Sequence, residues 1–437
     1  MPGELFGPIL VTDALLDATG DRAWLQALLE AEAALADAEA EVGVVPPEAA
    51  RAIGAACREV SLDAGQLGRA ARAGGNPVIP LAAALRRAVP DGARPWVHWG
   101  ATSQDILDTA AMLVSKRALA LIEADLAGLA RECANLAHAH RHTLMVGRTL
   151  LQPAVPITFG LKAAGWLVAT LDARRDLVHA AGELAAQLGG AAGTLASLGD
   201  QGPAVAALFA HKLGLAEAVL PWHTARQRVA RLACALGTAA GTASKVAWDV
   251  ALLMQAEVGE ATEPAAPGRG GSSTMPHKRN PVGAAVVGAA CRQAQALVPV
   301  LLQAVVAEHE RAVGAWQAEW GSLSELLALA GGAVARTRET VAGLEVHAPV
   351  MASNLERSRG AVMAERVSLA LAPRLGREEA AAAVARAIAS GRDLGDELGA
   401  EGLVGEDERA QWLDPRSYLG ATGTWIDRAL EAWGERR

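Results

Sequence analysis

The sequence predicts an all-α protein built around a long central bundle of helices. Alanine, leucine and valine dominate a chain in which 51% of residues are apolar, with only three phenylalanines and one tyrosine. Alanine has the best intrinsic helix propensity, and small side chains let helices approach closely. Several Ala/Leu-rich runs carry apolar residues at helical spacing and exceed the usual length of a globular helix. At 437 residues the chain exceeds the usual single-core limit. It divides into 1–108, broken by turns, 109–346, rich in long helical runs, and 347–437, with shorter helices between Gly and Pro breaks.

Asp21 to Glu41 reads as an amphipathic helix, with Trp24, Leu25, Leu28 and Leu29 at helical spacing. Pro46-Pro47, Gly74-Gly75 and Pro90-Asp91-Gly92 punctuate the rest of the first hundred residues. In Trp96 to Thr109, Thr102 or Ser103 caps a helix that continues through Leu121, with Asp105 in its first turn. Ala110 to His140 keeps the helical pattern, and Met145 to Pro156 interrupts it. A long helical segment then runs to Leu188, ending at Gly189-Gly190, and Gly199 to Pro203 is a loop. Arg226 to Glu260 is helical, with Leu232, Leu236, Val246, Val250 and Leu253 on related faces. A further run extends toward Leu344, with a kink expected at Pro299.

Composition excludes several function classes. The net charge is −8 and the pI near 5.8, so no global basic field points to nucleic acid. Cys57, Cys133, Cys234 and Cys291 form no C-x-x-C pair, which argues against a disulfide framework or a zinc site and fits a reducing compartment. The start, Met1-Pro2-Gly3-Glu4, lacks the features of a signal peptide. The apolar run Gly283 to Cys291 stops at Arg292, short of a membrane span. A soluble cytoplasmic protein is expected, with no membrane and no nucleic-acid partner. His138, His140 and His142 would scatter around a helix, His309-Glu310 lacks the second histidine of a zinc motif, and no G-x-S-x-G elbow is present.

One stretch reads as chemistry: Gly268 to Val282, GRGGSSTMPHKRNPV. Its glycines allow close approach to a ligand, and hydroxyl, imidazole, ammonium, guanidinium and carboxamide groups follow in quick succession. Asn280-Pro281 fits an N-cap and a first-turn proline, so the loop runs into a helix N-terminus that favours anions. Read by composition alone, the stretch is a glycine-rich linker. A P-loop does not fit, because Lys278 follows His277 and precedes Arg279.

G-S-S-x-M-P-x-K-x-N-P resembles the signature of the fumarase/aspartase superfamily, and Gly270 to Ala285 most resembles its 3-carboxy-cis,cis-muconate cycloisomerase branch. Trp96 to Thr109 resembles the superfamily block H-x-G-x-T-S-x-D, and Gly147 to Gln152 its block G-R-T-H-x-Q. Asn354-Leu355 with Gly360 and Glu365, and Leu413-Asp414-Pro415 with Tyr418-Leu419-Gly420, resemble its third domain and tail. The likeness covers nearly the whole chain. It implies a three-domain fold whose long helices combine into a multi-helix core in a homotetramer, with active sites shared between subunits.

The lyases carry a histidine where this chain has Leu150 and a glutamate where it has Ala285. Both halves of that carboxylate–histidine pair are absent, and the muconate cycloisomerase branch also lacks the histidine. The resemblance implies ring closure of a small tricarboxylate through a carbanion beside a carboxylate, with no metal or redox cofactor. It makes Ser272 the proton donor, with Lys278 and Asn280 holding the carboxylate that becomes the enolate and Thr102, Ser103 and Thr149 the others. Gln152 lines the pocket, and Arg226 is carried over from the block Trp222 to Arg228. His98 is either a substrate contact or a satisfied core histidine, and Asn76 either a substrate contact or part of an ordinary turn. The competing readings are a C–N or C–O lyase acting on an adenylosuccinate-like or other succinyl substrate, and a non-catalytic helical protein.

Overall fold

The computed structural model describes residues 3–265, 270–271, 274–275 and 277–435. Among these the secondary structure is helical apart from two short antiparallel strand pairs, as the composition predicts. The chain forms two compact units. One comprises Met1–Leu126, Ala173–Ser244 and Val286–Arg336; the other comprises Ala127–Asp172, Lys245–Ala285 and Thr337–Arg437.

In the first unit, the predicted first long helix spans Asp21–Val42. It stops because Gly43 takes a φ of +85°, a left-handed conformation that suits glycine, and its N–H bonds to Ala40 O at 3.1 Å. The buried face is mostly alanine and leucine (Ala27, Leu28, Ala31, Leu35, Ala38) and packs on helices Pro47–Glu59 and Gly202–Leu213. Two carboxylates share this buried face, Glu32 and Glu39.

The helix starting beside Thr102 is longer than predicted and runs unbroken over Ser103–Ala139. The next, Phe159–Gly182, ends before the predicted Leu188. The chain beyond it is taken by other partners: Ala216 N–H bonds to Leu184 O at 2.8 Å, Ala186 N–H to Ala216 O at 3.1 Å, and Gln187 N–H to Thr109 Oγ1 at 2.9 Å. The run predicted toward Leu344 is two helices, Val282–Gln303 and Ala315–Ala342, and the first continues past Pro299.

Val282–Gln303 runs on past Arg292, so the arginine interrupts the apolar run without ending the helix. Arg292 fits within it because Nη1 donates to Gly288 O one turn back, at 3.1 Å.

Helix Gln227–Leu253, whose last turns belong to the second unit, stops short of the predicted Glu260 because Glu260 N–H folds back to Leu253 O at 2.9 Å, with Gly259 at φ +61°. Ala261–Thr262 then pairs with Glu345–Val346. The interruption predicted after His140 is a β-hairpin, Leu144–Thr149 with Gln152–Thr158. The core gathers Leu129, Cys133, Phe159, Trp166 and Val250, with the Phe159 and Trp166 rings edge to face at 5.7 Å. Val146 joins a second cluster with Leu355, Met363, Val367, Leu371 and Leu398 from the C-terminal helices.

Candidate active site

In the first unit, the segment 97–105 is fixed by a fully buried carboxylate. Asp105 Oδ2 accepts N–H bonds from Thr102 and Gly190, both at 2.9 Å, which is the N-terminal cap of helix Ser103–Ala139. Asp105 Oδ1 accepts from Gly189 N–H at 2.9 Å and lies 2.7 Å from His223 Nε2. One carboxylate thus ties together the 102 junction, the 189–190 turn and the 223 segment, where the sequence suggested only a favourable first-turn charge.

With its backbone held this way, Thr102 has its hydroxyl aimed elsewhere: Oγ1 accepts from Arg311 Nη1 at 3.0 Å. Arg311 Nη2 also donates to Ala191 O at 2.9 Å and Gly190 O at 3.5 Å. The sequence reading missed Arg311, although it weighed the adjacent His309-Glu310 for zinc. The guanidinium could only be placed through folding, since its partners lie more than a hundred residues upstream. Ser103 is half-buried at the first helical position.

His98 stands on the same segment in a left-handed backbone conformation, φ +61°. Its Nδ1 lies 2.7 Å from Glu32 Oε1, and Glu32 is 1% exposed. Burial pushes the imidazole pKa down, but the charge and hydrogen bond of Glu32, helped by Asp105, outweigh it and leave the ring above its ordinary value. Asn76 makes turn bonds: Oδ1 accepts from Val78 N–H at 3.1 Å and Ile79 N–H at 3.3 Å, the first two amides of helix Val78–Ala88.

Arg226 is placed differently from the substrate contact expected of it. It is 3% exposed and clamped between two buried carboxylates, Asp108 (2.7 and 3.1 Å) and Glu319 (2.9 Å from Nε, with a second contact from Nη2). Trp316 Nε1 adds a bond to Asp108 at 3.0 Å, and the guanidinium sits 4.7 Å from the Trp222 ring centroid. These partners hold the Arg226 pKa above its ordinary value despite burial, and burial raises that of Glu319 despite Arg226. The arrangement joins three helices of the unit and makes Arg226 a structural cross-link.

In the second unit, Thr149 and Gln152 face each other at the end of the hairpin and both are exposed. Between them Leu150 and Leu151 form a two-residue turn with φ +50° and +64°, their side chains 97% and 70% exposed. Behind the turn, Arg148 grips the buried Glu260 through two bonds of 2.8 Å, and Asn354 Nδ2 donates to the same carboxylate at 2.8 Å. The half-buried Lys162 has its pKa lowered, chiefly by burial, with Lys245 and Arg148 adding repulsion and Asp249 and Glu260 opposing.

The glycine-rich stretch is closed at its base. Gly271 pairs with Arg279, and Asn280 N–H donates to Gly270 O at 2.8 Å. A side chain at position 270 would meet Asn280 O at 2.8 Å, so glycine is required there. Lys278, His277 and Arg279 are exposed, and Lys278 N–H bonds to Met275 O at 3.0 Å. Ser272 lies outside the described residues, as do Ser273 and Gly268.

The helix start beyond this stretch corrects another expectation. The helix opens at Val282, after Pro281, and its free N–H groups are already occupied. Glu263 Oε2 accepts from Gly283 N–H at 2.9 Å and Oε1 from Ala284 N–H at 2.7 Å. The anion at this helix mouth is the chain's own carboxylate.

A family model described as "Lyase" matches residues 10–296. The 3-carboxy-cis,cis-muconate cycloisomerase of Pseudomonas aeruginosa is 47% identical over 98% of this chain and 96% of its own length. A nitrosuccinate lyase of Streptomyces davaonensis is 44% identical over 98% of this chain and 94% of its own. The crystal structure of the 3-carboxy-cis,cis-muconate lactonizing enzyme from Pseudomonas putida superimposes with a TM-score of 0.92 at 41% identity, covering 99% of this chain and all (100%) of that one.

Proposed function

Since the chain belongs to the lyase family whose model spans most of it, we propose that it interconverts 3-carboxy-cis,cis-muconate and its carboxymuconolactone. The observation that carries this reading is near full-length similarity, in sequence and fold, to cycloisomerases of that substrate. Leu150 and Ala285 support it, because the carboxylate–histidine pair of the lyases is missing as a pair.

In this reading one substrate carboxylate attacks the molecule's own double bond, while a proton reaches the carbon beside a second carboxylate. The new C–O bond closes the ring, and the electron pair passes through an enolate of that second carboxylate. Ser272 supplies the proton and takes it back in reverse. Lys278 and Asn280 hold the carboxylate on which charge develops, the preorganised electrostatic task that dominates such catalysis. Thr102, Ser103 and Thr149 hold the remaining carboxylates, with Gln152 and His98 beside them. Holding one molecule in its reactive fold supplies much of the rate, since the step is intramolecular. We place the enzyme in the cytoplasm as a homotetramer with sites shared between subunits.

The test is spectrophotometric. The protein should abolish the ultraviolet absorbance of the muconate on addition, and Ser272→Ala should lower kcat by roughly 10²–10³. A Ser272→Ala variant with full turnover removes the serine assignment. The 44% identity to a nitrosuccinate lyase favours a second reading, elimination from a succinate-type substrate. Turnover of such a substrate with no effect on the muconate would select it.

A further inference from the structure

The buried face of helix Asp21–Val42 carries a carboxylate that the proposed chemistry does not use, yet it is bonded to a residue of the site segment. We propose that Glu32 is a positioning residue for His98: it grips Nδ1 and supplies a counter-charge, so that the ring presents Nε2–H to a substrate carboxylate. The identity of that carboxylate rests on the cycloisomerase reading, whereas the dyad rests on the geometry alone.

The geometry is specific. Glu32 Oε1 lies 2.7 Å from His98 Nδ1, and the Glu32 side chain is 1% exposed against 13% for the imidazole. Glu32 Oε2 has no partner among the described residues, so the imidazole is the group that answers this carboxylate. Nε2 is the ring nitrogen that Glu32 does not engage. His98 adopts its φ of +61° within a braced segment. Arg86 Nη2 holds the Val97 carbonyl at 3.2 Å, and the Trp96 and Trp99 rings meet at 5.0 Å. Leu198 fills the space beside Gly100 so tightly that a Cβ there would meet it at 2.6 Å. A strained backbone held by its surroundings is characteristic of residues kept in place for function.

Three charged groups face the ring. Glu32 from Asp21–Val42 and Asp105 from Ser103–Ala139 favour the protonated imidazole, while Arg86 from Val78–Ala88 and burial oppose it. Glu32 is the strongest of the favourable influences, so removing its charge leaves burial dominant. A neutral imidazole held through Nδ1–H would turn a lone pair, not a proton, toward the substrate.

The test is residue-specific acylation. Diethyl pyrocarbonate reacts with neutral imidazole, so the rate of His98 modification against pH, read by mass spectrometry of its peptide, gives the ring's midpoint. In the full-length protein this midpoint should lie above 6.5, and saturating lactone should slow the modification. Glu32→Gln keeps an acceptor of the same size. In that variant the midpoint should fall below 6.5, and at pH values above both midpoints KM should rise about tenfold for every pH unit by which the midpoint drops. The kcat should change much less, and KM should recover as the pH is lowered. A wild-type midpoint at or below 6.5 overturns the proposal without any variant. So does a midpoint that moves while the KM–pH profile stays that of the wild type. If the wild type ignores the muconate altogether, the cycloisomerase reading fails, and the wild-type midpoint still decides the dyad.

Discussion

The hairpin tip gives the sharpest test of the link between local strain and function. Leu150 and Leu151 occupy two left-handed positions that a two-residue hairpin turn reserves for Asn and Gly. A bulky residue there costs roughly 1–2 kcal/mol. The exposed side chains gain little burial in return, at 97% and 70% exposure. The double variant Leu150→Asn/Leu151→Gly should therefore release about 2 kcal/mol of strain. Amide exchange of the hairpin, residues 144–158, should slow by about 30-fold. Lactonisation should move the other way. A leucine side chain buried against the substrate contributes about 1.5–3 kcal/mol, so where the tip lines the site its loss should lower kcat/KM at least tenfold. Equal or faster exchange in the variant refutes the strain argument. Unchanged kcat/KM removes the tip from the site.

Other consequences concern the first unit. Burial first, then the charge of Glu32, pushes the Glu39 carboxyl up to about 9 from 4.5. Its contribution to stability is complete below pH 4.5 and lost as pH rises toward 9, at about 1.4 kcal/mol per pH unit. Glu39→Gln should thus raise the melting temperature relative to wild type more at pH 8 than at pH 5, and a constant difference contradicts the buried neutral acid. Arg226→Ala leaves the Asp108 and Glu319 carboxylates buried without their counter-charge and should cost about 3–5 kcal/mol by denaturant unfolding. A stable variant altered only in KM would restore Arg226 to the substrate. Arg311→Ala removes the donor to Thr102 Oγ1, so KM should rise with helix content intact by circular dichroism, the loss being about 1–3 kcal/mol.

Much of the fold was legible because helix propensity and apolar spacing are local. The helix Asp21–Val42 was placed almost to the residue, since its stop signal, Gly43, sits in the sequence beside it. The helix ends after Gly182 and Leu253 were misplaced because the partners that stop them, Ala216 and Thr109 in one case and a backbone turn at Glu260 in the other, leave the Ala/Leu pattern unchanged. The hairpin was missed because leucines fill the turn positions that usually announce one. At the site, the motif located the Thr102 and Asn280 segments, but not the partner of any charge. Arg311, Glu32 and Glu263 each act across long sequence separations or through a backbone group, and no spacing rule marks them.

Glu263 also tethers the glycine-rich stretch to a fixed span. By bonding to the amides of Gly283 and Ala284, it staples the residue that enters this stretch to the residues that leave it. The neighbouring Ala261–Thr262 strand is itself zipped to Glu345–Val346. Residues inserted or deleted between these footings would alter the reach of the segment without re-aiming the helix behind it. Interchanging the intervening residues among relatives is therefore a way to change what the enzyme accepts while leaving its frame untouched, and Glu263 is the residue to keep constant in every such chimera.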